Sequence, residues 1–229
     1  MTICVIPARS GSKRLKRKNI KLFHGKPIIS YAIKIAKSCN LFSRIIVSTD
    51  CKKIKKIAEK YGAEVPFLRS KKLSDDYTIT AEVIIDTIKK ISSENCQYHF
   101  CIYPTTTLIS KVDLLKSFKK IKKQKSDLLL AITEFNKNPL RALQIIKKNN
   151  IKFCNKKFVN FRTQDLPKFY EDSGSFYIYN TKSLIKNKGK LTKNSTFYLL
   201  NKGKSLDIDN IFDFKIAEYL YKVKKRING

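Results

Sequence analysis

Apolar and polar positions alternate along this chain in two different periods. Residues 2–6 are a short apolar run, mostly β-branched or small, which predicts a buried strand. Over 27–38, Ile28, Tyr31, Ala32, Ile35 and Ala36 recur on one helical face, and Pro27 suits the first turn. Residues 44–48 read as a strand that runs into Thr49 and Asp50. A second helix is predicted over 52–61, with Ile54, Ile57, Ala58 and Tyr61 as its stripe and Gly62 as its stop. Residues 80–91 give a third helix, and 98–103 an apolar strand closed by Pro104, Thr105 and Thr106. Then come a helix over 112–122, a strand over 128–133, and a last helix over 211–227 that buries Phe214, Ala217 and Tyr221.

This order predicts an α/β protein with a mostly parallel sheet and helices on both faces. Ligands of such sheets bind beyond the carboxyl ends of the strands. Those ends carry Arg9, Thr49, Asp50, Tyr103 and Pro104. After Glu134 the pattern changes to shorter strands and loops. Residues 135–180 are therefore expected to form a hairpin arm laid over the site. There are no repeats and no low-complexity linker, so 1–229 reads as one domain.

Composition changes this picture little. The formal net charge is +31, from 49 Lys and Arg against 18 Asp and Glu. Such a balance invites a nucleic-acid hypothesis. The lysines, however, are spread over nearly every segment among abundant Ile, Asn, Phe and Tyr, which reads as a solvated lysine surface. No nucleic-acid or membrane partner is expected. No apolar run approaches the ~20 residues that span a bilayer, and the start does not resemble a signal peptide, so a cytoplasmic location is expected. The six cysteines form no C-x-x-C pair, and His24 and His99 lie in no motif, which argues against a structural zinc site.

Two segments carry candidate chemistry. The first follows the opening strand: Pro7, Ala8, Arg9, Ser10, Gly11, Ser12, Lys13, then Lys18 and Asn19. Gly11 is expected to let the backbone turn tightly against an anion, Ser12 and loop N–H groups can donate, and Arg9, Lys13 and Lys18 bring positive charge. The loop suits a polyphosphate, yet it is neither a Walker A loop nor the dinucleotide fingerprint. The second is Leu206-Asp207-Ile208-Asp209-Asn210. If it is extended, Asp207 and Asp209 share a side. Two carboxylates beside phosphates make a natural Mg²⁺ seat. The alternative is that one of them caps the terminal helix.

These residues resemble the signature of the CMP-sialic acid synthetase (acylneuraminate cytidylyltransferase) family, in which a strand leads into A-R-x-x-S-K followed by K-N. The likeness continues through Ile46 to Asp50, Phe67-Leu68-Arg69 and Asp207-Ile208-Asp209. It implies a Rossmann-like domain with a small dimerisation arm, and a homodimer. It also implies that Ala8, Arg9, Ser12, Lys13 and Lys18 face the triphosphate of CTP, that Asn19 and Arg69 contact the cytidine, and that Thr80 lines the nucleotide pocket. Arg9, Lys13, Lys18, Asp207 and Asp209 would carry catalysis, the two aspartates by holding Mg²⁺. Arg141 and Arg162 fall where the family places basic residues near the sugar; for Arg162 the alternative is a surface or dimer contact.

Two departures bear on the sugar. Neuraminate enzymes usually read Q-P-T-S and R-P-N-G where this chain has Tyr103-Pro104-Thr105-Thr106 and Glu171-Asp172-Ser173-Gly174. The segments Cys101-Ile102-Tyr103, Arg141-Ala142-Leu143, Arg162 to Pro167 and Tyr170 to Tyr177 are more similar to the pseudaminic acid cytidylyltransferase subgroup. The resemblance thus implies a nonulosonic acid as acceptor, pseudaminic acid favoured, with N-acetylneuraminate or legionaminate as alternatives. Tyr103, Arg141, Arg162, Glu171 and Asp172 are the expected sugar-binding residues. A remoter alternative is a basic nucleic-acid-binding protein. No residue stands out as the base that takes the proton of the anomeric hydroxyl.

Overall fold

The computed structural model describes residues 1–147 and 149–228. Its strands are β1 (Thr2–Pro7), β2 (Leu22–Phe23), β3 (Lys26–Pro27), β4 (Arg44–Ser48), β5 (Tyr98–Ile102), β6 (Leu128–Glu134), β7 (Leu143–Lys147), β8 (Asn150–Phe153), β9 (Tyr170–Asn180) and β10 (Ser195–Leu199). Its helices are α1 (Ile29–Ser38), α2 (Lys52–Lys60), α3 (Thr80–Lys90), α4 (Lys111–Gln124), α5 (Thr181–Asn187) and α6 (Ile211–Asn228). Six strands form one mixed sheet in the order β10-β6-β9-β5-β1-β4. β1 runs parallel to β4 and β5, and β10 runs parallel to β6.

β1 shows why the sheet is covered on both sides. Alternate residues of a strand face opposite ways. Cys4 and Ile6 pack with Ile29, Ile33, Ile54, Ala58, Leu114 and Ile121 of α1, α2 and α4. Ile3 and Val5 pack on the other face with Ala81, Ile84, Ile88 and Leu184 of α3 and α5. A strand buried on both faces reads as a continuous apolar run, which is the pattern of residues 2–6.

Two helices begin slightly off the sequence expectation, for local reasons. Pro27 is not in α1 but pairs with Leu22 in the β2–β3 hairpin. α4 starts at Lys111 because Ser110 and Asp113 form a reciprocal capping box.

The larger departure concerns the expected arm. Residues 170–180 are not part of it: β9 lies inside the central sheet, antiparallel to both β5 and β6. Phe176 and Ile178 are fully buried there. What projects is the β7–β8 hairpin with the short helical turns that follow it, and its exposed surface includes Leu143, Ile145, Ile146 and Ile151.

A third core cluster positions the chemistry. Leu15 and Phe23, near the basic loop, pack with Ile208, Phe214 and Ala217 from the end of the chain. Phe214 is 1 % exposed and meets the Phe23 ring edge-on at 5.6 Å. Phe214→Ala is expected to lower unfolding free energy by about 3–5 kcal/mol, measured by chemical denaturation. An unchanged midpoint would show that the terminal helix does not hold this cluster together. No helix among the described residues is long and apolar enough to cross a membrane.

Candidate active site

An open cleft of about 480 Å³ lies at the carboxyl ends of β1 and β5. The basic loop forms one wall. The Ala8 N–H donates to the Ser48 carbonyl at 2.9 Å, which ties the loop's start to β4. Asp50 accepts from the Ser10 N–H at 2.8 Å and from its hydroxyl at 2.6 Å. The strand end beside it thus holds the loop.

Arg9, Ser12, Lys13, Lys18, Asn19, Arg69, Thr80, Tyr103, Asp172, Asp207 and Asp209 all line this cleft. Ala8 is fully buried behind it. Asn19 is buried, and its amide donates to the Arg9 carbonyl at 2.8 Å, so it also shapes the loop. Arg69 is 5 % exposed, and its Nε donates to Ser74 Oγ at 3.1 Å. Burial pushes the Arg69 guanidinium below its ordinary pKa, with the neighbouring Asp50 charge acting the other way and Arg9 adding to the fall. A buried cation at the edge of an open cleft is a natural anchor for polar ligand atoms. Thr80 Oγ1 and the Tyr103 hydroxyl are 2.7 Å apart. Burial raises the Tyr103 hydroxyl well above its usual range, so it stays a neutral hydrogen-bonding group.

Gly11 does something other than expected. Its φ lies outside the left-handed region, and a Cβ there would meet nothing within 4 Å. The tight left-handed step of the loop falls on Arg17, at φ 55°.

Lys18 joins the two halves of the site. Its Nζ donates to the Ile208 carbonyl at 2.7 Å and lies 3.4 Å from Asp209 Oδ1. Arg14, a member of the basic run with no motif of its own, pairs with Asp209 Oδ2 at 2.6 Å. Residues 205–209 pair with no strand, yet Asp207 and Asp209 both face the cleft. The helix-capping alternative belongs to other residues: Asn210 Oδ1 accepts from the Phe212 and Asp213 N–H groups.

The surrounding protein raises the Asp207 carboxyl above its ordinary pKa, chiefly by removing water, then through the charge of Asp209. A carboxylate pair whose second charge is disfavoured is suited to a divalent cation. Among the described residues no group of three or more His, Cys, Asp or Glu side chains is placed to hold a metal. Two carboxylates alone do not complete the coordination shell of a divalent cation, so one held there would need further oxygen ligands. Because the folded carboxyl sits above its unfolded value, Asp207 lowers stability once it is ionised, at pH above its folded pKa. Asp207→Asn should melt higher than the parent at neutral pH without divalent ions. The difference should vanish in acid, below the unfolded value of about 4. Thermal melts across pH check this, and equal melting points at neutral pH would contradict it.

At the other end of the cleft the Tyr177 hydroxyl donates to Asp172 Oδ2, and the Gly174 N–H donates to Oδ1 at 2.9 Å. Gly174 has φ 59°, a conformation that suits glycine. Glu171 does not reach the cleft. It lines a smaller adjoining cavity of about 300 Å³ that also touches Asp172 and Asp207. Arg141 and Arg162 are not brought to the cleft of their own chain. Arg141 donates to the Phe161 carbonyl at 2.9 Å, and Arg162 pairs with Asp165 at 2.7 Å, both out on the arm. His99 is fully buried between Ser93 and Thr181, and burial lowers its pKa to about 4, so it is a neutral core residue.

The mixed α/β sheet thus brings the basic loop and the carboxylate pair, which stand at opposite ends of the chain, to one cleft. A solved structure of CMP:2-keto-3-deoxy-manno-octonic acid synthetase complexed with CTP shares the fold, with a TM-score of 0.72 at 13% identity over 97% of this chain and 99% of that one. The family model described as Cytidylyltransferase matches residues 3–226, and the chain belongs to that family. A pseudaminic acid cytidylyltransferase of Campylobacter jejuni is 38% identical over 223 residues, 96% of each chain. A CMP-N,N'-diacetyllegionaminic acid synthase of the same organism is 32% identical over 97% of this chain and 95% of that protein. The family generally works with a divalent metal.

Proposed function

We propose that this protein transfers the cytidylyl group of CTP to pseudaminic acid, giving the CMP-sugar and pyrophosphate. The observation that supports it most is the 38% identity to a pseudaminic acid cytidylyltransferase along 96% of the chain. The cleft supports the same chemistry, since cations of the loop and a carboxylate pair face one space. The sugar's anomeric hydroxyl attacks the α-phosphorus and releases its proton to solvent, while the bond from that phosphorus to the pyrophosphate oxygen breaks and pyrophosphate leaves with the electron pair. Arg9, Lys13 and Lys18 neutralise charge on the phosphates, a large term in such transfers. Asn19 and Arg69 hold the cytidine, beside Thr80. Asp207 and Asp209 would hold a divalent cation such as Mg²⁺, which would supply charge neutralisation at the phosphate oxygens.

On the acceptor side, Tyr103 and Asp172 in the cleft and Glu171 in the adjoining cavity select the sugar. Arg141 and Arg162 meet its carboxylate from the arm of a second copy, in a homodimer. The exposed Leu143, Ile145, Ile146 and Ile151 support that arrangement, because a two-stranded hairpin with so much apolar surface needs something to cover it.

A pyrophosphate-release assay tests the reading. CTP should be used in preference to UTP, ATP and GTP, and pseudaminic acid should show a higher kcat/KM than N-acetylneuraminate or legionaminate. A polar pocket built for one set of substituents leaves groups unpaired with another, which separates substrates strongly. Equal rates with UTP would overturn the cytidylyl assignment. A higher kcat/KM for N-acetylneuraminate or legionaminate would overturn the choice of sugar.

A further inference from the structure

Two of the cleft's cations already hold an anion from the chain itself. Arg9 Nη1 lies 2.8 Å from Asp76 Oδ1, and Lys13 Nζ pairs with Asp76 Oδ2. Arg9 also donates to the Asp75 carbonyl. One carboxylate thus gives an oxygen to each cation, as a phosphate would. The segment is shaped to present it. The Asp75 side chain turns back on its own backbone, accepting from the Tyr77 N–H at 3.0 Å, the Thr78 N–H at 2.7 Å and the Thr78 hydroxyl at 2.7 Å. Such an Asx turn fixes the loop while leaving the next carboxylate free to face the cleft. Tyr77, between these contacts, is 91 % exposed and adds no packing that would anchor the segment. The chain has 18 acidic residues against 49 basic ones, so two consecutive aspartates at this spot are not what its composition favours. Lys13 and then Arg9 hold the Asp76 carboxyl below the usual carboxylate range, so it is charged at neutral pH.

We propose that Asp76 is an internal stand-in for a substrate phosphate. It occupies Arg9 and Lys13 while the cleft holds no polyphosphate, yields them when the triphosphate binds, and takes them back as pyrophosphate leaves. The proposal rests on the reading of Arg9 and Lys13 as phosphate contacts. It follows that the segment around Asp76 moves with each turnover, and that Asp76 weakens the hold on both CTP and pyrophosphate. The contacts it surrenders are solvent-exposed ion pairs, the Lys13 side chain being 82 % exposed, and such pairs are individually weak and so exchange easily.

Calorimetry with pyrophosphate tests this on the full-length chain and three variants: Asp76→Asn, Asp76→Glu and the double variant Arg9→Ala with Lys13→Ala. Asp76→Asn should bind pyrophosphate about three- to tenfold more tightly, the scale of two partly exposed ion pairs. Asp76→Glu should stay near the parent. The double variant should bind much more weakly. If Asp76→Asn binds pyrophosphate no more tightly than the parent, the stand-in is wrong and Asp76 is a scaffold. If the double variant binds as well as the parent, the phosphate reading of the loop itself fails. The chain has no tryptophan, so Tyr77→Trp adds a single fluorescent reporter beside the carboxylate. Its emission should change as pyrophosphate saturates the site. Constant emission during binding seen by calorimetry would overturn the displacement.

Discussion

Lys18→Ala is expected to reduce kcat by about 10²–10³-fold, the scale seen when one preorganised donor to developing charge is removed. Lys18 is singled out because it contacts both halves of the site, donating to the Ile208 carbonyl while facing Asp209. Its loss would take a cation from the proposed triphosphate site and would leave Asp209, among the described residues, paired with Arg14, whose side chain is much more exposed. The fold should survive, since the core beneath is supplied by Leu15, Phe23 and Phe214 rather than by the lysine. Arg9→Ala should behave alike, because its partners Asp75 and Asp76 sit on an exposed segment. Steady-state rates alongside thermal melts separate catalysis from folding. Near-parental turnover in both variants would remove the loop from the chemistry.

Mixing two inactive proteins should restore activity. If the arm serves the neighbouring copy, a dimer of an Arg162→Ala subunit with a Lys18→Ala subunit contains one site with both defects and one with neither. Random association of equal amounts makes half the dimers mixed, so roughly a quarter of parental activity should return. If Arg162 served its own chain, every site would carry a defect and mixing would restore nothing. The position of Arg162 motivates the test: it pairs with its neighbour Asp165 and stands outside the cleft. Activity of unmixed and mixed samples after subunit exchange is the readout.

Much of the site was legible along the chain because its parts are local. The loop residues Arg9, Ser12, Lys13, Lys18 and Asn19 lie within eleven positions of one another, directly after a strand that any periodicity analysis finds. Arg69 and Thr80 were reached only through the family resemblance, and they do line the cleft. Arg14 and Asp76 carry no such local signal. Nothing in a basic run says which member will face a carboxylate, and Asp76 meets Arg9 only across 67 positions. Gly11 shows the opposite error, since a glycine in a phosphate loop suggests a special backbone that the structure places at Arg17 instead.

The sequence by itself determined the local elements and the two motifs. Strand and helix periods depend on which neighbours share a face, and that is written in the order of residues. Only the tertiary structure decided what those motifs meet. Residues 170–180 look like one more short segment of an arm until β5 and β6 receive them as a central antiparallel strand, because strand pairing joins backbones regardless of distance along the chain. Lys18 and Asp209 are 191 positions apart, and the packing of Phe214 on Phe23 closes that gap. The energies of such contacts depend on burial and separation in space, which a local pattern does not contain.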